Sequence, residues 1–138
     1  MIRARLLAAV VFGIAAFVAG MAVHALGWMG PAEIHPLWPA TVAALVAFGL
    51  APRLRRRAQV PGRSHWFGAG DGLLVAVLAY GVGVVVVSSL ALGIRWDVAA
   101  GVLVDGFTTV ALSVLPPSLA LGAAAGVVFQ GLVRRDAA

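Results

Sequence analysis

Four apolar stretches, separated by proline, glycine and charge, run along the chain. The first is Leu6 to Gly27, in which His24 is the one strongly polar member. The second, Leu37 to Ala51, lies between Pro36 and Pro52 and has only 15 residues. A helix rises about 1.5 Å per residue and the hydrocarbon layer is about 30 Å thick, so this stretch falls short. Recruiting Arg53 and Leu54, with the guanidinium reaching back to the headgroups, extends it to a span over 37–54. The third, Gly72 to Ile94, starts beside Asp71, which reads as its N-cap. The fourth, Val98 to Val133, would be about 54 Å long as one straight helix, nearly twice the hydrocarbon thickness.

Pro116-Pro117 divides that last stretch into two pieces, so five spans are conceivable, and charge chooses between the counts. With the N-terminus inside, four spans leave Arg3, Arg5, Arg53, Arg55, Arg56, Arg57, Arg63, Arg134 and Arg135 inside and only Arg95 outside. A fifth span would carry Arg134 and Arg135 to the wrong side. Trp28, Trp38 and Trp96 then fall at the outer interface and Trp66 at the inner one. The expected fold is therefore an all-α integral membrane protein, a single transmembrane domain over 1–138. Its helices are placed at about 6–27, 37–54, 72–94 and 105–133, with a basic cytoplasmic loop over 55–70. Both termini are expected inside. The surplus of the fourth stretch is assigned to a short interfacial segment before Asp105 and to a kink at Pro116-Pro117, where two donors are lost and the rings clash with the preceding turn.

Composition agrees and removes whole classes of function. Of the residues 62% are hydrophobic and 11% charged, and mean hydropathy is +1.04. A soluble domain carries about a quarter charged residues, so this chain lacks the charge to cover a globule in water. There is no cysteine, which excludes a disulfide scaffold. Arg3, Arg5, the run from Leu6 and Val23-His24-Ala25 share the layout of a secretory signal peptide, but the segment is expected to be kept as a helix. A prokaryotic inner membrane is the expected location.

Candidate chemistry is sparse. Asp105 is the one acid placed to lie deep, and with Thr108, Thr109 and Ser113 it would line a path for an ion or solute. The competing reading makes Asp105 an N-cap at the outer interface. His24 and His35, with Glu33 between them, form a minimal set of nitrogen and oxygen ligands for a divalent metal, though no metal-ligand spacing fixes them on one face. Nucleophile elbows, phosphate-binding glycine loops and paired aspartates at one depth are missing from the sequence. No cofactor is expected.

Two further patterns concern association. Gly122 and Gly126 form a GxxxG pair, and Ala16 with Gly20 and Ala79 with Gly83 are small-xxx-small pairs, which let helix backbones approach closely in lipid. Arg53, Arg55, Arg56, Arg57 and Arg63 are expected to meet anionic headgroups or an acidic partner rather than nucleic acid, because the arginines are segregated to one side of the membrane. The first functional expectation is a non-catalytic subunit that packs in, or stabilises, a larger membrane complex, with other membrane proteins or copies of itself as partners. The alternatives are a small homo-oligomeric transporter or channel using Asp105, and a membrane enzyme acting on lipid at the outer interface.

Overall fold

A computed structural model describes residues 2–26, 35–92 and 96–135, and for 87–88, 90–92, 96–103 and 105–113 it describes the backbone alone. Its regular structure is four helices, α1 (Ile2–Ala25), α2 (Leu37–Ala58), α3 (His65–Leu92) and α4 (Trp96–Arg135). Each contains a stretch long and apolar enough to cross a membrane. They pack as an antiparallel bundle in ring order: α3 with α4 most extensively, α1 with α2 next, then α1 with α4 and α2 with α3. The diagonal pairs touch least.

The helices outrun the apolar stretches that signal them. α1 begins at Ile2, before the apolar run. α2 continues through Pro52 to Ala58, so Arg55, Arg56 and Arg57 form its last turn and do not belong to a loop. One proline removes one backbone donor, whereas arginine is a good helix former and is favoured near the negative end of the helix dipole. What connects α2 to α3 is only 59–64. There Val60-Pro61-Gly62-Arg63 makes a turn in which the Arg63 N–H donates to the Val60 carbonyl, with Gly62 at φ +73°. Proline second and glycine third is the pattern of a type II turn, whose third position needs the left-handed conformation that glycine adopts without strain.

α3 starts at His65, seven residues before the apolar run that begins at Gly72. Ser64 precedes its first turn and its Oγ accepts from the Trp66 N–H at 3.4 Å, which is the N-cap pattern. Asp71 is therefore not the cap expected from the sequence. It lies inside α3, and Ser64 already supplies the acceptor. α4 likewise begins at Trp96, so residues 98–105 are its opening turns and not a separate segment, and Pro116 and Pro117 both lie within it.

The core lies toward the arginine-rich end. Ala8 and Phe12 of α1, Ala47, Ala51, Leu54 and Ala58 of α2, Val75 of α3, and Ala125, Phe129 and Val133 of α4 form one buried cluster. The Phe12 and Phe129 rings meet with centroids 6.2 Å apart, tilted by 48°. Ala43, Ala47 and Ala51 recur every four residues on one face of α2, so α1 lies close against it: a Cβ added at Gly13 would stand 3.4 Å from that of Ala44.

Candidate functional site

At the arginine-rich end three helices converge on a set of polar side chains. Asp71 sits on the second turn of α3, facing the end of α2. Its Oδ1 accepts from Arg57 Nη1 at 2.9 Å, and Arg63 Nη2 lies 3.6 Å from Oδ2. The Asp71 and Arg63 side chains are largely enclosed, at 13% and 15% exposed, while Arg57 is 58% exposed. The inner pair is therefore the one whose loss leaves a charge stranded, and the outer pair is screened by solvent. Arg63 also stacks over the Phe67 ring, 4.7 Å from its centroid, a cation–π contact along the first turn of α3.

α4 closes the other side. Arg134 Nε donates to the Ala58 carbonyl at 3.2 Å, and its Nη2 donates to the Arg63 carbonyl. The last four carbonyls of a helix have no partner within it, so one guanidinium both caps α2 and holds the α2–α3 turn. One turn earlier, Gln130 is 2% exposed, and its Nε2 donates to the Ser64 carbonyl at 3.5 Å. Gln130 Oε1 is buried without a hydrogen-bond partner, packed toward Gly68, where an added Cβ would overlap it. On α1, the Arg5 guanidinium lies 5.4 Å from the Phe48 ring centroid and its enclosed Nε has no hydrogen-bond partner. The Asp71 carboxylate is engaged by two guanidinium groups. This cluster is a clasp, suited to fixing helices.

Beside the clasp, α3 and α4 cross backbone to backbone. Gly68 and Gly72 of α3 face Gly122 and Gly126 of α4, all four buried. A Cβ on Gly126 would overlap the Gly68 carbonyl and stand 2.8 Å from the Gly72 Cα. One on Gly72 would overlap the Gly122 carbonyl. Two GxxxG pairs thus interlock, and sequence reasoning misses the one over 68–72 because Gly68 falls before the apolar run that begins at Gly72. Its spacing is the signal that reveals it.

Toward the other end the four helices part around a cavity of about 240 Å³. Among the described residues its wall is mostly apolar, running from Phe12 and Val75 to Val23 and Trp38, with Tyr80 and Ser118 bringing hydroxyls to it. Ala16 and Gly83 line this cavity, and a Cβ added at Gly83 would meet no atom within 4 Å. Gly20 also borders it while abutting Pro36, whose Cβ would stand 3.3 Å from a Cβ added at Gly20. Ala79 is 8% exposed at its edge.

The remaining sequence candidates are placed as follows. Asp105, Thr108, Thr109 and Ser113 lie on α4, and their side chains lie outside the described residues. Asp105 is the tenth residue of α4 and so does not cap it, because helical backbone extends back to Trp96. His24 and His35 are exposed near the connection between α1 and α2, where His35 Nδ1 accepts from the Leu37 N–H at 3.4 Å. Glu33 lies outside the described residues, and among the described residues no three metal-binding side chains cluster. Arg53 and Arg56 are exposed on the last turns of α2, beside Arg55. Comparison with protein-family models, curated proteins and solved structures finds no match.

Proposed function

We propose that this chain is a non-catalytic integral membrane subunit that packs in, or stabilises, a larger membrane protein complex. The clasp carries this reading: the ionic and amide groups that converge in the bundle, Arg57, Arg63, Asp71, Gln130 and Arg134, are engaged in holding α2, α3 and α4 together. The chain invests its convergent polar chemistry in rigidity. In this reading the arginine-rich end faces the cytoplasm with both termini, in a prokaryotic inner membrane, as the positive-inside bias requires. α4, about 60 Å long if straight, bends at Pro116-Pro117 to fit the bilayer. Arg53, Arg55 and Arg56, presented on a helical turn, meet anionic headgroups or an acidic partner. Extraction from native membranes in mild detergent, followed by intact-complex mass spectrometry, tests it. Masses containing other proteins support the subunit role, and a lone 14.1 kDa chain or a homo-oligomer overturns it.

One observation favours a second reading, a small homo-oligomeric transporter or channel. Asp105 stands about 13 Å along α4 from Trp96, and in this second reading that turn lies in the bilayer, where the acid lines a path with Thr108, Thr109 and Ser113. Asp105→Asn is expected to abolish flux in proteoliposomes while leaving the far-ultraviolet helical signal intact. Unchanged flux removes this path.

A further inference from the structure

We propose that Arg53 and Arg56 form a binding site for the phosphate of an anionic phospholipid on the outward side of α2. This names the partner of the arginine-rich end. It rests on the reading that this end lies at a bilayer surface and stands apart from any role in a complex. The two residues are three apart on one helix, so their Cβ atoms stand about 5–6 Å from each other. Two guanidinium groups that close together present paired N–H donors to the oxygens of one phosphate. Both residues are exposed, on the side of α2 away from the buried Ala47, Ala51, Leu54 and Ala58.

Neighbouring cations are committed elsewhere. Arg57 and Arg63 share Asp71, and Arg134 is held by the Ala58 and Arg63 carbonyls. Among the described residues, Arg53 and Arg56 have neither a hydrogen bond nor an ion pair. Nor does the end of α2 need them as caps. The Arg55 carbonyl accepts from the Gln59 N–H at 3.1 Å, the Arg57 carbonyl from the Val60 N–H at 3.4 Å, and the Ala58 carbonyl from Arg134. The pair is left for an anion from outside the chain.

Depth selects the source of that anion. Arg53 is the first charged residue along α2, 15 residues after Trp38, which places it about 22 Å further along the helix. The hydrocarbon layer is about 30 Å thick, so with Trp38 in one interface the Arg53 backbone stops short of the other. Its stem then carries the guanidinium up to the headgroups, where a lipid phosphate is met before any anion in water. The adjoining surface agrees. Leu45, about two turns before Arg53 on the same side, is 68% exposed, and a Cβ added at Gly49, between them, would meet no atom within 4 Å. An amphiphile with an anionic head and an apolar body meets both features, whereas an acidic protein in water reaches only the charge.

The test offers the full chain, in mild detergent, equimolar phosphatidylglycerol and phosphatidylcholine, and reads the bound lipid by intact mass spectrometry. The parent is expected to retain phosphatidylglycerol in preference. Arg53→Gln combined with Arg56→Gln is expected to lower that retention roughly five-fold for each arginine removed. Arg3→Gln combined with Arg135→Gln removes the same charge at two other exposed positions and is expected to change it less than about two-fold. Arg53→Lys combined with Arg56→Lys keeps the charge but loses the paired donors, and is expected to fall between parent and glutamine variant. Equal losses in the two glutamine variants overturn the proposal, because a diffuse field then accounts for binding. Displacement of the lipid by millimolar inorganic phosphate or by polyglutamate also overturns it, marking a site for a free anion or an acidic protein. Release of the parent from vesicles by alkaline carbonate removes the bilayer premise and the proposal with it. A parent that resists carbonate but shows no preference for phosphatidylglycerol defeats the proposal alone.

Discussion

The two ends of the bundle solve the same packing problem in opposite ways. Toward the arginines, α3 and α4 are brought together by four glycines until backbone meets backbone, and the remaining space is filled by Phe12, Phe129 and Val133. Toward Trp38 the same small-residue chemistry leaves a cavity, bordered by Ala16, Gly20 and Gly83. A small residue is thus an opportunity for close approach, and whether it is taken depends on what holds the helices. At one end the clasp of Arg57, Arg63, Asp71, Gln130 and Arg134 holds them, and no comparable set of polar contacts borders the cavity among the described residues.

The sharpest way to break the contrast is to give both ends the same methyl group. Gly126→Ala forces backbone apart and is expected to destabilise the bundle by about 2–3 kcal/mol, measured by denaturant titration in detergent. Gly81→Ala, where an added Cβ meets nothing, is expected to be neutral or to gain up to about 1 kcal/mol from helix propensity. Equal effects at the two positions would remove the glycine crossing as the reason α3 and α4 lie so close.

A smaller effect is expected from opening the clasp. Asp71→Ala strands the largely enclosed Arg63 and is expected to cost about 2 kcal/mol, whereas Arg57→Ala, at the exposed member, is expected to cost less than about 1 kcal/mol. Their ranking in thermal unfolding of the purified protein checks which ion pair matters. The smallest effect sharpens the comparison. Gln130→Leu removes an amide whose oxygen is buried without a partner and whose one hydrogen bond is long, so stability is expected to move by no more than about 1 kcal/mol either way. A loss of several kcal/mol in the same thermal scan would make that bond central to the clasp.

The number of helices is legible in the sequence because hydrocarbon sets a minimum apolar length, which three runs satisfy outright and the second satisfies once Arg53 and Leu54 extend it. Their ends are less legible, since backbone hydrogen bonding continues wherever a cap permits. α3 shows this best: hydropathy rises at Gly72, but the helix begins after Ser64, whose hydroxyl accepts the Trp66 N–H. That offset turns Asp71 from a cap into an ion-pair partner and hides the Gly68–Gly72 pair. Arg134 is legible as a positive charge at the end of the fourth apolar run. Its partners are not, because they are the carbonyls of Ala58 and Arg63, and a carbonyl leaves no trace in residue identity. The cavity is hidden for a related reason: the pattern that signals close packing also permits a gap, and only the positions of neighbouring helices distinguish them.

The Arg134 bonds have a consequence for the order of synthesis. α2, its turn and α3 precede α4 in the order of synthesis, so the Ala58 and Arg63 carbonyls lack the guanidinium that will cap them until α4 is made. When α4 follows, its glycines seat against α3 and Arg134 in its final turn latches across the turn of the hairpin.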